Sequence, residues 1–314
     1  MRPVGAHAPV AKGLGTGALR YAAAVRAEAI QVFVTNPRAW SPSPGQAGQT
    51  AALREHVAAT GLPVFVHAPY LVNVASPDPE LRARSAGMVR HCLRRGAEIG
   101  ARGVVMHAGS AVSGTRADGL AAVAGTVLPL LDALPDDWPD LLIEPMAGTG
   151  GMVCATIAEI GPYLAALDWH PRARLCLDTC HLFAAGHDLA ADGGTTAALA
   201  ELTATAPGRL SLIHANDSMD GCGSRRDRHQ NVGRGTLGRR PFWDLLHHPA
   251  TEGVAFVVET PGDEAGQAAD IRRLRRLRSA SRPPAGRPPA GGPGPGRPDR
   301  AGVPASLRAA ARPD

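Results

Sequence analysis

Eight short apolar runs, each followed by a polar residue, constrain the fold of this 314-residue chain more than any other feature. The runs recur along residues 1–271 at intervals that leave room for one strand, one helix and two loops. Continuous apolar runs of this kind are typical of parallel strands that are buried on both faces. The polar residues that end the runs are His7, Thr35, His67, His107, Glu144, Asp178, His214 and Glu259.

Eight strand–helix units in about 270 residues predict an α/β fold, a single (β/α)8 TIM barrel. Plausible helices lie between the runs, such as Leu81–Ile99, which Gly100 stops, and Asp118–Leu134, which begins with an acidic residue. A doubly wound open sheet, which needs fewer strands, is the alternative. We expect the barrel to occupy residues 1–278, with a short amphipathic helix at Asp270–Arg278 as its last ordered element.

The composition changes near Ser279, after which the chain is rich in Pro, Gly, Arg and Ala. Because such a segment has no apolar periodicity, residues 279–314 are predicted to form a disordered basic tail. Residues 272–314 hold eleven arginines and two acidic residues, whereas the net charge of the whole chain is only +5. The body that precedes them is therefore mildly acidic.

The composition also indicates the cellular compartment in which the protein is expected. No apolar run is long enough for a transmembrane helix, and the N-terminus lacks the apolar stretch of a signal peptide. The five cysteines form no CxxC pair, and their odd number is typical of reduced thiols rather than of a disulfide framework. We therefore expect a cytoplasmic protein that contacts no membrane.

We select six of the eight polar run ends as candidate metal ligands, since the strand ends of a (β/α)8 barrel meet at the face that carries the active site. A single such residue has ordinary structural explanations, but six converging carboxylates and imidazoles need a cation to offset their charges. Imidazole and carboxylate together form the ligand set of zinc, manganese or iron. The six residues are His67, His107, Glu144, Asp178, His214 and Glu259.

Two short motifs add three more candidate ligands. In the sequence DTCH, Asp178 and His181 lie three residues apart just after a predicted strand. Asp227 and His229 lie two residues apart in a glycine-rich loop, so both side chains can project the same way in an extended segment. The total of nine ligands suits three metal ions that keep open positions for water and substrate.

The stretches around these residues resemble the endonuclease IV family of apurinic/apyrimidinic endonucleases. The longest matches are HAPYLVNVASPDPELRARS at 67–85, CLDTCHLFAAGHDL at 176–189 and HANDSMDGCGSRRDRHQNVGRGTLG at 214–238. The resemblance runs from residue 5 to about residue 277, and it implies a site with three zinc ions. It assigns His67, His107 and Glu144 to the first ion, Glu144, Asp178, His214 and Glu259 to the second, and His181, Asp227 and His229 to the third.

The resemblance also implies a reaction, the hydrolysis of the phosphodiester 5′ to an abasic site in duplex DNA as a step of base excision repair. The bridging ligand Glu144 is then the catalytic residue, and no side-chain nucleophile is needed. Arg38 and Tyr70 match DNA-contacting positions of the family, where a guanidinium and an aromatic ring can fill the space left by an extruded sugar. A protein that wraps around DNA in this way is expected to be a monomer.

The chain departs from the family pattern at a few positions, and two other functions stay open. Pro145 removes a backbone donor beside Glu144, and with Thr149 it affects the tuning of the centre rather than the number of its ligands. Ala108 should matter little, and Arg234 stands where an acidic residue is common in the family. One alternative is a sugar isomerase of the same barrel type with two divalent metals. The other is a catalytically silent DNA-binding relative, which would have no reason to keep its ligands.

Overall fold

Eight parallel strands close into a barrel in the computed structural model, which describes residues 1–284. Each strand pairs with the barrel strand that follows it in the chain, and the first pairs with the last to complete the closure. The predicted (β/α)8 barrel is thereby confirmed, and the open sheet is wrong. The barrel strands are β1 (Val4–His7), β2 (Ile30–Val32), β3 (Val64–His67), β4 (Gly103–His107), β5 (Asp140–Glu144), β6 (Ala173–Asp178), β7 (Leu210–His214) and β10 (Ala255–Val258).

Helices surround the barrel, and a small antiparallel pair of strands, β8 (Asp217–Ser218) and β9 (His229–Gln230), forms a separate sheet between β7 and the next helix. A π-helical turn at Gly13–Ala18 leads into the first helix, and a 3-10 turn at Pro249–Thr251 precedes β10. The α-helices are α1 (Leu19–Val25), α2 (Ala47–Thr60), α3 (Pro79–Ile99), α4 (Arg116–Asp132), α5 (Ile157–Ala166), α6 (Thr179–Ala184), α7 (Gly194–Thr205), α8 (Arg240–His247) and α9 (Glu264–Ser279).

The helix ends follow from local sequence signals. Helix α3 begins after Asp78, whose carboxylate accepts a hydrogen bond from the Glu80 N–H, and it ends before Gly100, which has a φ of 73°. Helix α4 begins two residues before the predicted start because Thr115 caps it. The Thr115 hydroxyl accepts the Asp118 N–H, and the Asp118 carboxylate accepts the Thr115 N–H in return.

Helix α9 is longer than the predicted segment at Asp270–Arg278. It begins at Glu264 because the side chain of Asp263 caps its first turn. The indole N–H of Trp243 on α8 donates to the Ala280 carbonyl at 3.0 Å, so contacts with the helices around the barrel continue past residue 278. From residue 285 onward, the predicted tail lies outside the described residues. The apolar face of the helix is buried as its spacing indicated, with Ile271, Leu274 and Leu277.

Strand β2 departs from the expected pattern. It ends at Val32, so the prediction that this strand ends at Thr35 is wrong. The chain leaves the sheet after Val32, and the Thr35 hydroxyl donates to the Ser41 carbonyl at 2.9 Å within the following loop. The polar residue that β2 contributes to the barrel is Gln31, whose side chain is fully buried.

Side chains alternate between the two faces of a strand, so residues two positions apart face the same side. This alternation builds two levels inside the barrel. The upper level, which we call the polar ring, comprises His7, Gln31, His67, His107, Glu144, Asp178, His214 and Glu259. The level two residues below, which we call the apolar layer, comprises Ala29, Phe65, Val105, Leu142, Cys176, Leu212 and Val257. The polar ring thus lies at the carboxyl ends of the strands, and apolar side chains fill the barrel below it.

A larger apolar cluster packs between the barrel and its helices, with fully buried side chains such as Leu53, Leu93 and Phe242. All five cysteines are free, as the sequence indicated. No helix within residues 1–284 is both long enough and apolar enough to cross a membrane.

Gly5 on β1 packs against the backbone of Ala29, just before β2, and we expect it to tolerate no side chain. A Cβ on Gly5 would lie 1.6 Å from the Ala29 carbonyl oxygen, whereas a Cβ on Gly87 in α3 would meet nothing within 4 Å. Gly5→Ala should therefore lower the free energy of unfolding by about 3 kcal/mol or more, because backbone must shift. The control Gly87→Ala should raise it by about 0.5–1 kcal/mol. Urea unfolding measures both, and equal small effects would contradict the close approach.

Candidate metal centre

An open cavity of about 770 Å³ lies at the carboxyl end of the barrel, above the polar ring. Most of the candidate ligands line it, while Asp178 and His214 are fully buried at its floor. The structure therefore brings all nine predicted ligands to one place. The lining includes His67, His107, Glu144, His181, Asp227, His229 and Glu259, together with His7, Phe33 and Tyr70.

Glu144, at the end of β5, faces two groups of potential ligands at once. Its Oε2 atom lies 3.4 Å from the Nε2 atom of His67 and 3.6 Å from the Nε2 atom of His107. Its Oε1 atom lies 3.0 Å from the Nδ1 atom of His214 on β7. One buried carboxylate thus joins the two groups, with one oxygen turned toward each.

The second group forms around His214. Its Nδ1 atom is 3.2 Å from Oε2 of Glu259 and 3.9 Å from Oδ2 of Asp178. In both groups the ligand atoms lie within 4.8 Å of one another, which is close enough for one ion to reach all of them. The first group is His67, His107 and Glu144, and the second is Glu144, Asp178, His214 and Glu259.

A third group lies largely outside the barrel strands. His181 comes from α6, His229 from β9, and Asp227 from the loop that precedes β9. The Asp227 carboxylate lies between the two rings, 3.2 Å from Nε2 of His181 and 3.1 Å from Nε2 of His229. The three ligand atoms again lie within 4.8 Å of one another. Asp178 adjoins this group too, since its Oδ2 atom is 3.3 Å from Nε2 of His229.

Two buried thiols lie close to the same groups. Cys176 adjoins Glu144 and His214, and Cys180 adjoins Asp178 and His229. Burial raises the pKa of both thiols to about 12. Without a bound metal ion, both thiols are therefore protonated at neutral pH.

Four histidines of the three groups share a pattern of hydrogen bonds that is typical of metal ligands. In each, one ring nitrogen donates to an oxygen outside the group, so the other nitrogen faces the candidate site. The acceptors are backbone carbonyls for three rings: Ala68 for His67 at 2.6 Å, Pro145 for His181 at 3.1 Å and Glu259 for His229 at 3.4 Å. His214 instead uses the side-chain Oε1 atom of Gln31, at 2.9 Å.

Atoms without hydrogen-bond partners supply an independent test of the fit to a metal. Within residues 1–284, the Oε2 atom of Glu144 and the Nε2 atoms of His181 and His229 are buried without such a partner. Buried polar atoms normally have one. All three atoms belong to the groups described above and face their interiors, so the residues present fit bound metal ions.

The charges of the centre offset one another only in part. Burial opposes the charge on Glu144, yet the imidazoles around it, His214 first, hold the pKa of this carboxyl well below its ordinary value. Burial likewise opposes the charge on His181, but Asp178 and Asp227 raise the pKa of the ring to about 9. Burial lowers the pKa of His107 to about 4. Without an ion, some histidines therefore act as cations that neutralise the carboxylates.

Comparison with known proteins identifies the family. Residues 19–277 match the model of a family described as xylose isomerase-like TIM barrel. A probable endonuclease 4 of Streptomyces coelicolor is 51% identical over 279 residues, which are 88% of this chain and 95% of that protein. A probable endonuclease 4 of Nitratidesulfovibrio vulgaris is 34% identical over 276 residues, 87% of this chain and 97% of that protein. The chain belongs to the endonuclease IV family.

A solved structure agrees with this assignment. The crystal structure of endonuclease IV from Thermus thermophilus has a TM-score of 0.77 and 32% identity, and the match covers 88% of this chain and 98% of that one. A D-tagatose 3-epimerase-like protein, with a TM-score of 0.67 and 17% identity, is similar in fold alone. The resemblance seen in the sequence is confirmed, and membership of the endonuclease IV family makes this protein an endonuclease.

The departures from the endonuclease IV pattern leave the candidate centre intact. Pro145 has no N–H, but its carbonyl accepts the hydrogen bond that orients His181. The Thr149 hydroxyl donates to the Arg225 carbonyl and so joins two loops. Ala108 is buried, and Arg234 is exposed in the glycine-rich loop. None of these residues displaces a predicted ligand.

The two predicted DNA-contacting residues lie on neighbouring loops. Tyr70 lines the cavity and is 52% exposed, so its ring is available at the mouth. The Tyr70 N–H donates to the Pro37 carbonyl at 3.1 Å, which holds its loop against the loop that carries the exposed Arg38. Both side chains therefore lie near the opening, and their contact with DNA stays a prediction.

Three polar residues near the centre were not among the predicted site residues. Gln31 and His7 belong to the polar ring, and the Asn216 amide donates to Oδ2 of Asp178 at 2.6 Å while its Oδ1 atom accepts the Glu259 N–H at 2.8 Å. The position of Gln31 inside the apolar run IQVFVT is a signal that could have identified it. The outer face of a barrel strand packs against apolar helix side chains, so a polar residue within the strand belongs on the inward face. For Asn216 the only signal in the sequence is its position, two residues after His214 at the end of a strand.

Proposed function

We propose that this endonuclease is a zinc-dependent DNA-repair enzyme that hydrolyses the phosphodiester 5′ to an abasic site in duplex DNA. The products would be a 3′-hydroxyl and a 5′-deoxyribose phosphate. The observation that carries the proposal is the position of Glu144, one carboxylate shared by two ligand groups and adjoined by a third, at the floor of an open cavity. A cytoplasmic location and a monomeric state stay predictions of the sequence.

The three ligand groups would each hold one zinc ion, since imidazole and carboxylate are ligands that zinc accepts. When bound, the ions supply Lewis acidity that activates water and neutralises negative charge on the phosphate. The residues would divide as His67, His107 and Glu144 for the first ion, Glu144, Asp178, His214 and Glu259 for the second, and His181, Asp227 and His229 for the third.

The charge of the cavity itself indicates why an anionic substrate would need those ions. The four carboxylates of the ligand groups converge there, and among the described residues no arginine or lysine lines the cavity. Without metal ions, a phosphodiester in this site would meet negatively charged carboxylates, and protonated imidazoles would be its only positive contacts among the residues that line the cavity. The side chains therefore hold and orient cations, and the carboxylate of Glu144 keeps two of the ligand groups at a fixed separation.

The mouth of the cavity suits recognition of a distorted duplex. The exposed Tyr70 ring packs edge-on against Phe33, with a centroid distance of 5.4 Å, so it is supported from one side. A supported aromatic ring can take the place of a displaced nucleotide in the stack. Arg38, on the adjoining loop, can pair with phosphate or stack on a base.

The alternatives make different predictions about the same centre. A sugar isomerase with two divalent metals would need the two groups that share Glu144 and would not need His181, Asp227 and His229. A catalytically silent relative would bind abasic DNA without cutting it. Metal content and a nicking assay therefore separate all three functions.

The first prediction concerns the metal. Protein purified without added metal should contain three zinc ions per chain, because three ligand groups are present and each has unpartnered or closely spaced ligand atoms. Elemental analysis checks the count, and prolonged chelation should remove both metal and activity. Two ions per chain together with ketose turnover would favour the isomerase, and activity unaffected by full chelation would contradict the proposal.

The second prediction ranks the ligands. On a duplex with one tetrahydrofuran abasic analogue, Glu144→Ala should cost more turnover than His229→Ala, because Glu144 serves two groups and His229 one. A metal ion contributes several kcal/mol, so even His229→Ala should fall by about a thousandfold. Glu55→Ala, at an exposed position on α2, is the matched control and should be fully active. Equal and mild losses in both site variants would contradict the assignment.

The third prediction concerns Tyr70. Tyr70→Ala should keep all three ions but lose discrimination between abasic and intact duplex by roughly tenfold to a hundredfold, since base stacking contributes about 1–3 kcal/mol. Trp169→Ala removes an exposed ring that precedes β6, at the opposite end of the barrel, and should leave DNA binding unchanged. Titrations of both duplexes measure the effect. Unchanged selectivity in Tyr70→Ala would assign the ring to packing alone.

A further inference from the structure

We propose that Gln31 is a positioning residue of the metal centre, whose amide fixes His214 and Glu259 so that their ligand atoms face the second group. The inference rests on the proposed function only in that it requires this group to bind metal. Gln31 lies on β2, the one strand whose polar end the sequence pattern did not locate.

The contacts of Gln31 involve both ends of its amide. Its Oε1 atom lies 2.9 Å from Nε2 of His214. Its Nε2 atom lies 2.6 Å from Oε1 of Glu259 and 2.9 Å from Nδ1 of His7. The side chain is fully buried, so no water competes for these contacts from outside.

Only an amide can make this set of contacts. The Oε1 atom of Gln31 can only accept, so the Nε2 atom of His214 carries the hydrogen and the Nδ1 atom is turned toward Glu144 and Glu259. The amide nitrogen can only donate, so it holds Oε1 of Glu259 and leaves Oε2, which lies 3.2 Å from Nδ1 of His214, facing the same point. Reversing the amide would set its oxygen against the Glu259 carboxylate, and this contact fixes its orientation.

His214 differs in this respect from the three other histidines whose rings donate to an oxygen outside their group. His67, His181 and His229 donate to backbone carbonyls, which a side-chain substitution does not remove. His214 depends on a side chain, and the Gln31 amide is the acceptor that the structure provides for it. A substitution at position 31 should therefore affect the second group selectively, whereas the first and third keep their orientation.

The experiment compares Gln31→Met with Thr35→Val. Methionine has a similar length but neither donates nor accepts strongly, so it removes both amide contacts. Thr35 lies four residues after Gln31, and Thr35→Val removes one partly buried hydrogen bond, to the Ser41 carbonyl, which involves none of the three groups. Zinc content, the rate of zinc transfer to a chromophoric chelator at fixed pH, and the melting temperature of the metal-free proteins are measured for both variants and for the unaltered protein.

We expect Gln31→Met to release one zinc ion of three about 10–100-fold faster than the unaltered protein, because outer contacts of ligands affect affinity to that extent. The other two ions should leave at unaltered rates, and Thr35→Val should release all three normally. Gln31→Asn keeps the amide but withdraws it by one methylene. It should show the same selective release to a smaller degree, and it replaces Gln31→Met if the latter does not fold.

Several outcomes would overturn the inference. Unaltered release of all ions from both Gln31 variants would show that the amide positions nothing, and equal acceleration in Thr35→Val would assign the effect to general stability. A protein that binds no zinc would overturn this inference together with the proposed function. A protein that binds zinc but does not cut abasic DNA would overturn the proposed function alone, because selective release from Gln31→Met would still support the role of Gln31.

Discussion

The concentration of carboxylates above the apolar layer is the constraint on which the rest of the centre depends. Glu144, Asp178, Asp227 and Glu259 meet in one cavity that no described arginine or lysine lines. Folding such a set requires positive charge from elsewhere. In the metal-free chain the histidines provide it: burial opposes the charge on His229, but Asp178 and Asp227 raise the pKa of this ring well above its ordinary value. Cations and protons are therefore alternative ways of stabilising one arrangement.

The barrel makes that arrangement possible through its register. Eight strands run the same way, and each presents one inward side chain at its carboxyl end, so residues far apart in the sequence become neighbours. The apolar layer below closes the interior, which leaves the polar ring open only on the side where substrate can enter. Gly5 shows how little tolerance this packing leaves, because the Ala29 carbonyl occupies the space of its missing side chain.

The sequence predicted most of the barrel because one signal, an apolar run with a polar end, repeats without interruption. It was wrong at β2, where apolar residues continue beyond the strand and Thr35 imitates a strand end. The same error hid Gln31, since a position within a run gives no indication that it meets His214 and Glu259 across the barrel. The nine candidate ligands came from residue chemistry and spacing, and the family resemblance implied their division among three ions. Their grouping, and the hydrogen bonds that orient the rings, depend on contacts between strands that a linear pattern does not encode.

The closure of the barrel between its first and last strands has a consequence for biosynthesis. Strands β1 and β10 pair directly, yet about 250 residues separate them in the chain. At about 5–20 residues per second, a ribosome needs about 12–50 s to make that interval. Throughout this time the edge of β1 that will pair with β10 has no partner strand, and Glu259 is not yet available to contact His7 and Gln31. A nascent chain must therefore protect an open sheet edge, and ions captured early would find only part of their ligands.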